Sequence, residues 1–352
     1  MSQIKHVLRH YGSPVAGGGL ALIAINAAVL GRTVNGTVFD AVSPLVAATL
    51  STMFGALVLN VYVGRRTLWQ VLRGRRTARG VLRHVRGRVF GRQMRWPVIS
   101  MAFGIAFMLP MTLLALDRLG SMGTVGAVVF CGPLWLAVRG LWKVLTGGRD
   151  WFTGLLWVLV AVIGVACLTR FWEGDFDVFG LLFGAGAATA YAVFLAMYDR
   201  MRKADRHALP TGVAVSNLLA AALMVALTGV TLAALSANGV FVQGISLPGD
   251  DWMNGRVIAI TALSGLLSGA VCQIAQNQIF RRGLISLGTF SIMTALEPAA
   301  SFVLGVTVLT YEPGALDVIG TILVVLAGFA CFYHWEVRNG RARETASDGD
   351  GA

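Results

Sequence analysis

The chain has 352 residues, 56% of them hydrophobic and only 13% charged, with a mean hydropathy of +0.71. A soluble domain of this length needs far more polar surface, so the composition specifies an all-α integral membrane protein that crosses the bilayer many times. The net charge of +12 does not point to nucleic acid, because the basic residues lie in short segments between apolar runs.

Residues 1–13 are polar and basic, with Lys5 and Arg9. Apolar runs follow at 14–31, 41–63, 97–116, 121–142, 151–169, 178–198, 211–236, 257–280, 284–310 and 315–335. Each is near the roughly 20 residues needed to cross a bilayer, which predicts ten spans, numbered here in that order. The first run resembles a signal peptide, but Asn26 and the run Gly17, Gly18, Gly19 interrupt its apolar core. With the N-terminus placed in the cytoplasm and the sides alternated, cytoplasmic segments hold 25 of the 29 Lys and Arg. The outer loops hold Arg32, Arg118, Arg170 and Arg256, together with acids such as Glu173, Asp175, Asp177, Asp250 and Asp251. That asymmetry predicts both termini inside.

The 64–96 connection carries eleven arginines and no acid. Its valines at 81, 85 and 89 recur at helical spacing. A basic amphipathic helix on anionic lipid and a solvated loop are equally compatible with it. The tail at 336–352 reads as disordered.

Two segments resemble each other. Leu119 to Pro133 reads LGSMGTVGAVVFCGP and Leu284 to Pro298 reads LISLGTFSIMTALEP. They share the leucine, a Gly-Thr pair (Gly123-Thr124, Gly288-Thr289) and the final proline. The following spans end in VIGVAC and LAGFAC. The chain therefore divides into repeats at 14–170 and 178–335. Five spans is an odd number, so the two repeats are predicted to be inverted, an architecture of secondary transporters. Pro133 and Pro298 mark the expected helix breaks.

Glu297 is the one carboxylate placed inside the hydrocarbon by this reading. A charge at that depth is costly and faces a partner or a wet cavity, which makes Glu297 the leading candidate for proton coupling or substrate binding. Pro298, just after it, is expected to disturb the helix. The alternative is a buried Glu bonded to a neighbouring helix. Span 8 carries CQIAQNQIF. Gln273, Gln276 and Asn277 share a face there and are candidate pathway residues, along with Asn26, Thr124 and Tyr191; interhelical glue is the bland reading. Gly180, Gly184 and Ala188 read as close-packing residues. The four cysteines make no metal or disulfide pattern, and neither metal nor cofactor is expected.

The phrases ALDRLGSMGTVGAVVFCGPLWLAV and GTFSIMTALEPAASFVLGVTVLTYE, with the five-plus-five pattern, resemble the EamA-type transporters of the drug/metabolite transporter superfamily. Within it, the chain is most similar to the threonine/homoserine exporter branch. The resemblance implies proton-linked export of amino acids or similar metabolites, with spans 1, 3, 4, 6, 8 and 9 around the pathway. The chain departs from that branch in three ways. Val129 stands where the branch has a carboxylate in span 4, the lead-in prolines are missing, and the arginine-rich loop is extra.

The expectation is a bacterial inner-membrane transporter exporting a small polar metabolite such as threonine or homoserine, not an enzyme. Its partners would be that substrate, protons and membrane lipid, with a homodimer as a possible assembly and no nucleic acid. One rival is a facilitator for anions, ranked low because no Lys or Arg falls well within a span. Another is a membrane scaffold or signalling protein acting through its arginine-rich loop.

Overall fold

The structure, a computed structural model, describes residues 2–38, 42–73, 77–119, 177–238, 254–285, 296–308 and 314–332, with isolated positions between 125 and 167 and at 290, 293 and 294. The secondary structure there is helical. In chain order the elements are α1 (Ser2–Gly36), α2 (Pro44–Leu72), α3 (Ala78–Val89), α4 (Arg95–Leu119), α5 (Val178–Ala204) and α6 (Leu209–Asn238). Next come α7 (Gly255–Ser264), a π-helical segment (Gly265–Val271), α8 (Cys272–Arg282), α9 (Leu296–Val308) and α10 (Ala315–Phe332). Six helical stretches among the described residues are long and apolar enough to cross a membrane, and α7, the π segment and α8 form one of them. The molecule is thus an all-α, multi-pass membrane protein. Span 4, most of span 5, the tail and the acidic segment at 250–251 lie outside the described residues, as do Thr124 and Pro133.

Two boundaries differ from the sequence reading, and both matter. The first apolar run ends at Gly31, which would leave Arg32 in an outer loop. Instead α1 continues to Gly36, so Arg32 lies within the first candidate span, Val15–Gly36. Thr33 supports the extra turn by donating its hydroxyl to the Val29 carbonyl at 3.0 Å. The 281–311 stretch, long enough to cross as one helix, is interrupted. Gly283 caps α8 in the left-handed region at φ 64°, where a glycine carries no Cβ penalty. A second break falls just before α9, where the Glu297 N–H donates to the Thr294 carbonyl at 2.9 Å. Pro298 therefore sits in the first turn of α9, where its missing N–H costs no hydrogen bond, and the break lies upstream of it.

Small residues set how closely the helices approach. A Cβ built on Gly55 of α2 would stand 2.8 Å from the Gly265 carbonyl oxygen and 2.9 Å from the Gly269 Cα. One on Gly104 of α4 would stand 3.0 Å from the Ala190 carbonyl oxygen of α5. One on Gly180 of α5 would stand 2.8 Å from the Leu119 side chain of α4. Lipid tails are as apolar as the helix surfaces, so contact of this kind, rather than exclusion of water, holds the bundle. At the junction of α4 and α5, Arg118 pairs with Asp177 at 3.6 Å. Asp177 also caps α5, its carboxylate accepting from the N–H groups of Phe179 and Gly180.

The arginine-rich connection is mostly helical. α2 runs on to Leu72, and α3 starts at an N-cap, Thr77, whose hydroxyl accepts from the Gly80 N–H at 3.2 Å. Val89 is fully buried and Val85 packs against the same core, so α3 docks on the bundle through this valine face.

Candidate functional site

The break ahead of α9 places Glu297 in that helix's first turn, where the positive end of the helix dipole favours a carboxylate. Opposite it stands Arg32 of α1, one Nη of which donates to Glu297 Oε1. The side chains are 11% and 3% exposed, so the pair is nearly withdrawn from solvent. Arg32 is oriented from its own helix as well, since its Nε–H donates to the Ala28 carbonyl at 3.2 Å. Two buried charges of opposite sign offset the cost that either alone would carry at this depth.

The pair borders a cavity of about 70 Å³. α1 contributes Ala28 and Arg32, and α2 contributes Ser51 and Thr52. Ile105, Met108, Leu109 and Thr112 come from α4, Tyr191 and Phe194 from α5, and Asn217 from α6. The π segment supplies Ser268 and Gly269, α8 supplies Cys272, Gln273 and Gln276, and α9 supplies Glu297. The wider turn of a π segment displaces side chains from their α-helical positions, and such turns recur at functional sites. Here it contributes directly to the cavity wall. α2 and α6 also line the cavity, beyond the spans that the family resemblance implied.

Most polar groups in the wall are satisfied locally. Thr112 donates to the Met108 carbonyl at 2.7 Å, and Asn217 donates to that of Val213 at 2.9 Å. Gln273 and Gln276 differ. Both are buried, and their Oε1 atoms have no hydrogen-bond partner among the described residues. A buried polar atom left without a partner is costly, so two acceptors on the wall of a cavity suit a ligand that brings donors.

One side of the cavity is braced by aromatic rings. Tyr191 and Phe194 stack at 6.0 Å, and Phe194 meets Tyr198 at 5.4 Å. Tyr198 meets Phe280 at 5.1 Å, and Phe280 meets Phe290 at 5.3 Å. This ladder joins α5 to α8 and to the segment before α9, with ring spacings in the favourable range.

The structure brings Glu297, Tyr191, Gln273 and Gln276 to one cavity. It does not bring Asn26 there. Asn26 is exposed and donates to the Leu22 carbonyl of its own helix at 2.8 Å. It lies two residues from Ala28, about 200° around α1 from the cavity face. Asn277 is buried too, but it lines a different pocket at the arginine-rich end of α8. Arg32 is the functional candidate that sequence reasoning missed. A lone arginine beyond an apolar run reads as a loop residue, and nothing in the residues around it marks the extra helical turn.

A second buried acid, Asp317, has a structural role: it accepts from the Gly314 N–H at 2.8 Å at the start of α10. Asn60, in α2, joins α2 to α6 by donating to the Ala214 carbonyl at 2.9 Å.

No family model matches the chain, and no curated protein matches it. A solved crystal structure of a protein superposes with a TM-score of 0.58 at 18% identity, over 89% of this chain and 96% of its own. At that identity the likeness concerns the fold alone.

Proposed function

We propose that the protein is a secondary transporter that moves a small polar metabolite, with an amino acid as the leading class, by proton-linked alternating access. The observation that carries this reading is the buried Arg32–Glu297 pair at the edge of a cavity whose wall also offers two unpartnered amide oxygens. Ionisable pairs inside membrane bundles mark substrate and proton pathways. A proton arriving at Glu297 would release Arg32, and a substrate carboxylate could then take its place. The two Gln oxygens would accept from the substrate's ammonium or hydroxyl group. Ten spans arranged as two inverted repeats, with both termini cytoplasmic in a bacterial inner membrane, complete the proposal. The repeated Gly-Thr and Pro register and the charge asymmetry support that arrangement.

Arg32 alters the weighing of the anion facilitator, which rested on a lack of cations at depth. Its charge is balanced by Glu297, and the described lining carries no other charged group. A site of zero net charge suits a zwitterion or a neutral polar molecule better than a phosphorylated anion, which draws several uncompensated cations.

The test is a metabolite profile of the medium from cells that overexpress the protein and from cells that lack it. An amino acid that accumulates outside in proportion to expression supports the proposal. An unchanged profile across polar metabolites refutes export.

A further inference from the structure

A second pocket opens at the arginine-rich end of the bundle, away from the Arg32–Glu297 pair. It has a volume of about 300 Å³, and its lining includes Tyr62 and Arg65 of α2 and Asn277, Gln278 and Arg281 of α8. That is room for roughly ten waters, or for a small organic molecule. Asn277 is 5% exposed, and both of its amide atoms, Nδ2 and Oδ1, are buried without a hydrogen-bond partner among the described residues. An asparagine in that state has a donor and an acceptor both waiting for a partner.

The charge around it has one sign. Arg65 and Arg281 both line the pocket, and no acid does so among the described residues. The Arg65 guanidinium stacks on the Tyr62 ring at 4.3 Å, which fixes its plane. The end of α8 is held in place as well, because Arg206 donates its Nε–H to the Arg281 carbonyl. Beside it, Gly283 turns the chain away at φ 64°. The Arg65 guanidinium and the Arg281 backbone are therefore set before any ligand arrives.

We infer that this pocket is a binding site for a small organic anion whose carboxylate stands next to a hydroxyl or ammonium group. Arg65 and Arg281 receive the carboxylate, and Asn277 donates to it through Nδ2. The neighbouring hydroxyl or ammonium donates to Asn277 Oδ1. Two guanidinium groups beside the amide give the pocket a positive potential, which favours an anion there over water alone. Asn277 follows Gln276 and lies four residues, about 6 Å along the helix axis, from Gln273. A single row of amides on α8 thus runs from this pocket to the central cavity.

The inference does not rest on the transport reading: its readout is the part of the binding signal carried by Arg65, Arg281 and Asn277, none of which lines the central cavity. The probe is L-lactate, which has a carboxylate beside a hydroxyl, followed by saturation-transfer NMR on the full-length protein in a neutral detergent. The expected order is lactate above propionate, with 1,2-propanediol, which lacks the charge, giving no signal. Asn277→Ala, and separately Arg65→Gln with Arg281→Gln, should each weaken lactate binding by roughly tenfold or more, as expected when a charge-assisted hydrogen bond is lost. Both arginines are exposed, so their replacement leaves the bundle folded. Gly19→Val, with nothing within 4 Å of its Cβ and outside the lining of both pockets, should leave the lactate signal unchanged. Equal binding of lactate to the wild type and the double arginine variant would overturn the inference, and so would equal binding to the wild type and Asn277→Ala. Nanodiscs distinguish a lipid headgroup from a soluble ligand. If phosphatidylglycerol abolishes the lactate signal and phosphatidylcholine does not, the occupant is the headgroup and the assignment to a soluble anion fails.

Discussion

Neither Arg32 nor Glu297 is tolerable alone where it lies, with side chains 11% and 3% exposed. Removing one partner of a buried pair typically costs about 3–5 kcal/mol, because the other charge is left uncompensated. Replacing both with apolar groups of similar size often costs little. Arg32→Met and Glu297→Leu should therefore each lower the thermal stability of the purified protein in neutral detergent by several kcal/mol, and the double replacement should recover most of it. Equal stability of the wild type and both single variants would show that the pair is not held in solution. The same two residues show what a sequence discloses. Glu297 stands out because a carboxylate inside an apolar stretch has few bland explanations. Arg32 is hidden because hydropathy ends a span at the first cation, although a cation facing a buried acid belongs to the interior. Asn26 has the right chemistry but the wrong azimuth, and azimuth depends on neighbours that the sequence does not order.

Among the elements, the long apolar helices are legible because length and hydropathy alone fix them, while their irregularities are not. The π turn at Gly265–Val271 has no propensity signature, since its residues would also form an ordinary α-helix. It exists where α2 and the π segment approach through Gly55, Gly265 and Gly269. Pro298 suggests a break in its own helix, yet proline is readily accommodated in a first turn, and the interruption lies upstream of it. The glycine contact can be tested directly. Gly55→Val forces backbone apart where a Cβ already meets the Gly265 carbonyl at 2.8 Å, and it should reduce the yield of monodisperse protein severalfold. Gly19→Val, with nothing within 4 Å of its Cβ, should purify like the wild type. Equal behaviour of the two variants, judged by size-exclusion profiles, would contradict the close approach of α2 to the π segment.

For the whole molecule, the charge asymmetry predicts a topology, and the described helices supply sites to probe it. Gly87 in α3 and Asn254, the cap of α7, are both exposed and suit single-cysteine replacement. In a background without the four native cysteines the two should react from opposite sides of the membrane in intact cells. A membrane-impermeant thiol reagent should label position 254 and spare position 87. Labelling of both positions, or of neither, would break the proposed alternation. Deleting residues 66–94 separates transport from a scaffold role carried by the arginine-rich segment. A transporter should retain flux without it, at some cost in stability because α3 buries Val89.

The claim on which the proposed transport function depends is that Glu297 exchanges a proton for its bond to Arg32 during each transport cycle. The direct measurement is flux in proteoliposomes containing Glu297→Gln, with the metabolite identified from the medium profile as substrate. Two modes are compared: net movement driven by a pH gradient, and exchange of labelled for unlabelled substrate. Gln mimics the protonated acid, so gradient-driven flux should vanish while exchange persists. Gradient-driven flux at the wild-type rate in well-folded Glu297→Gln protein would contradict the claim.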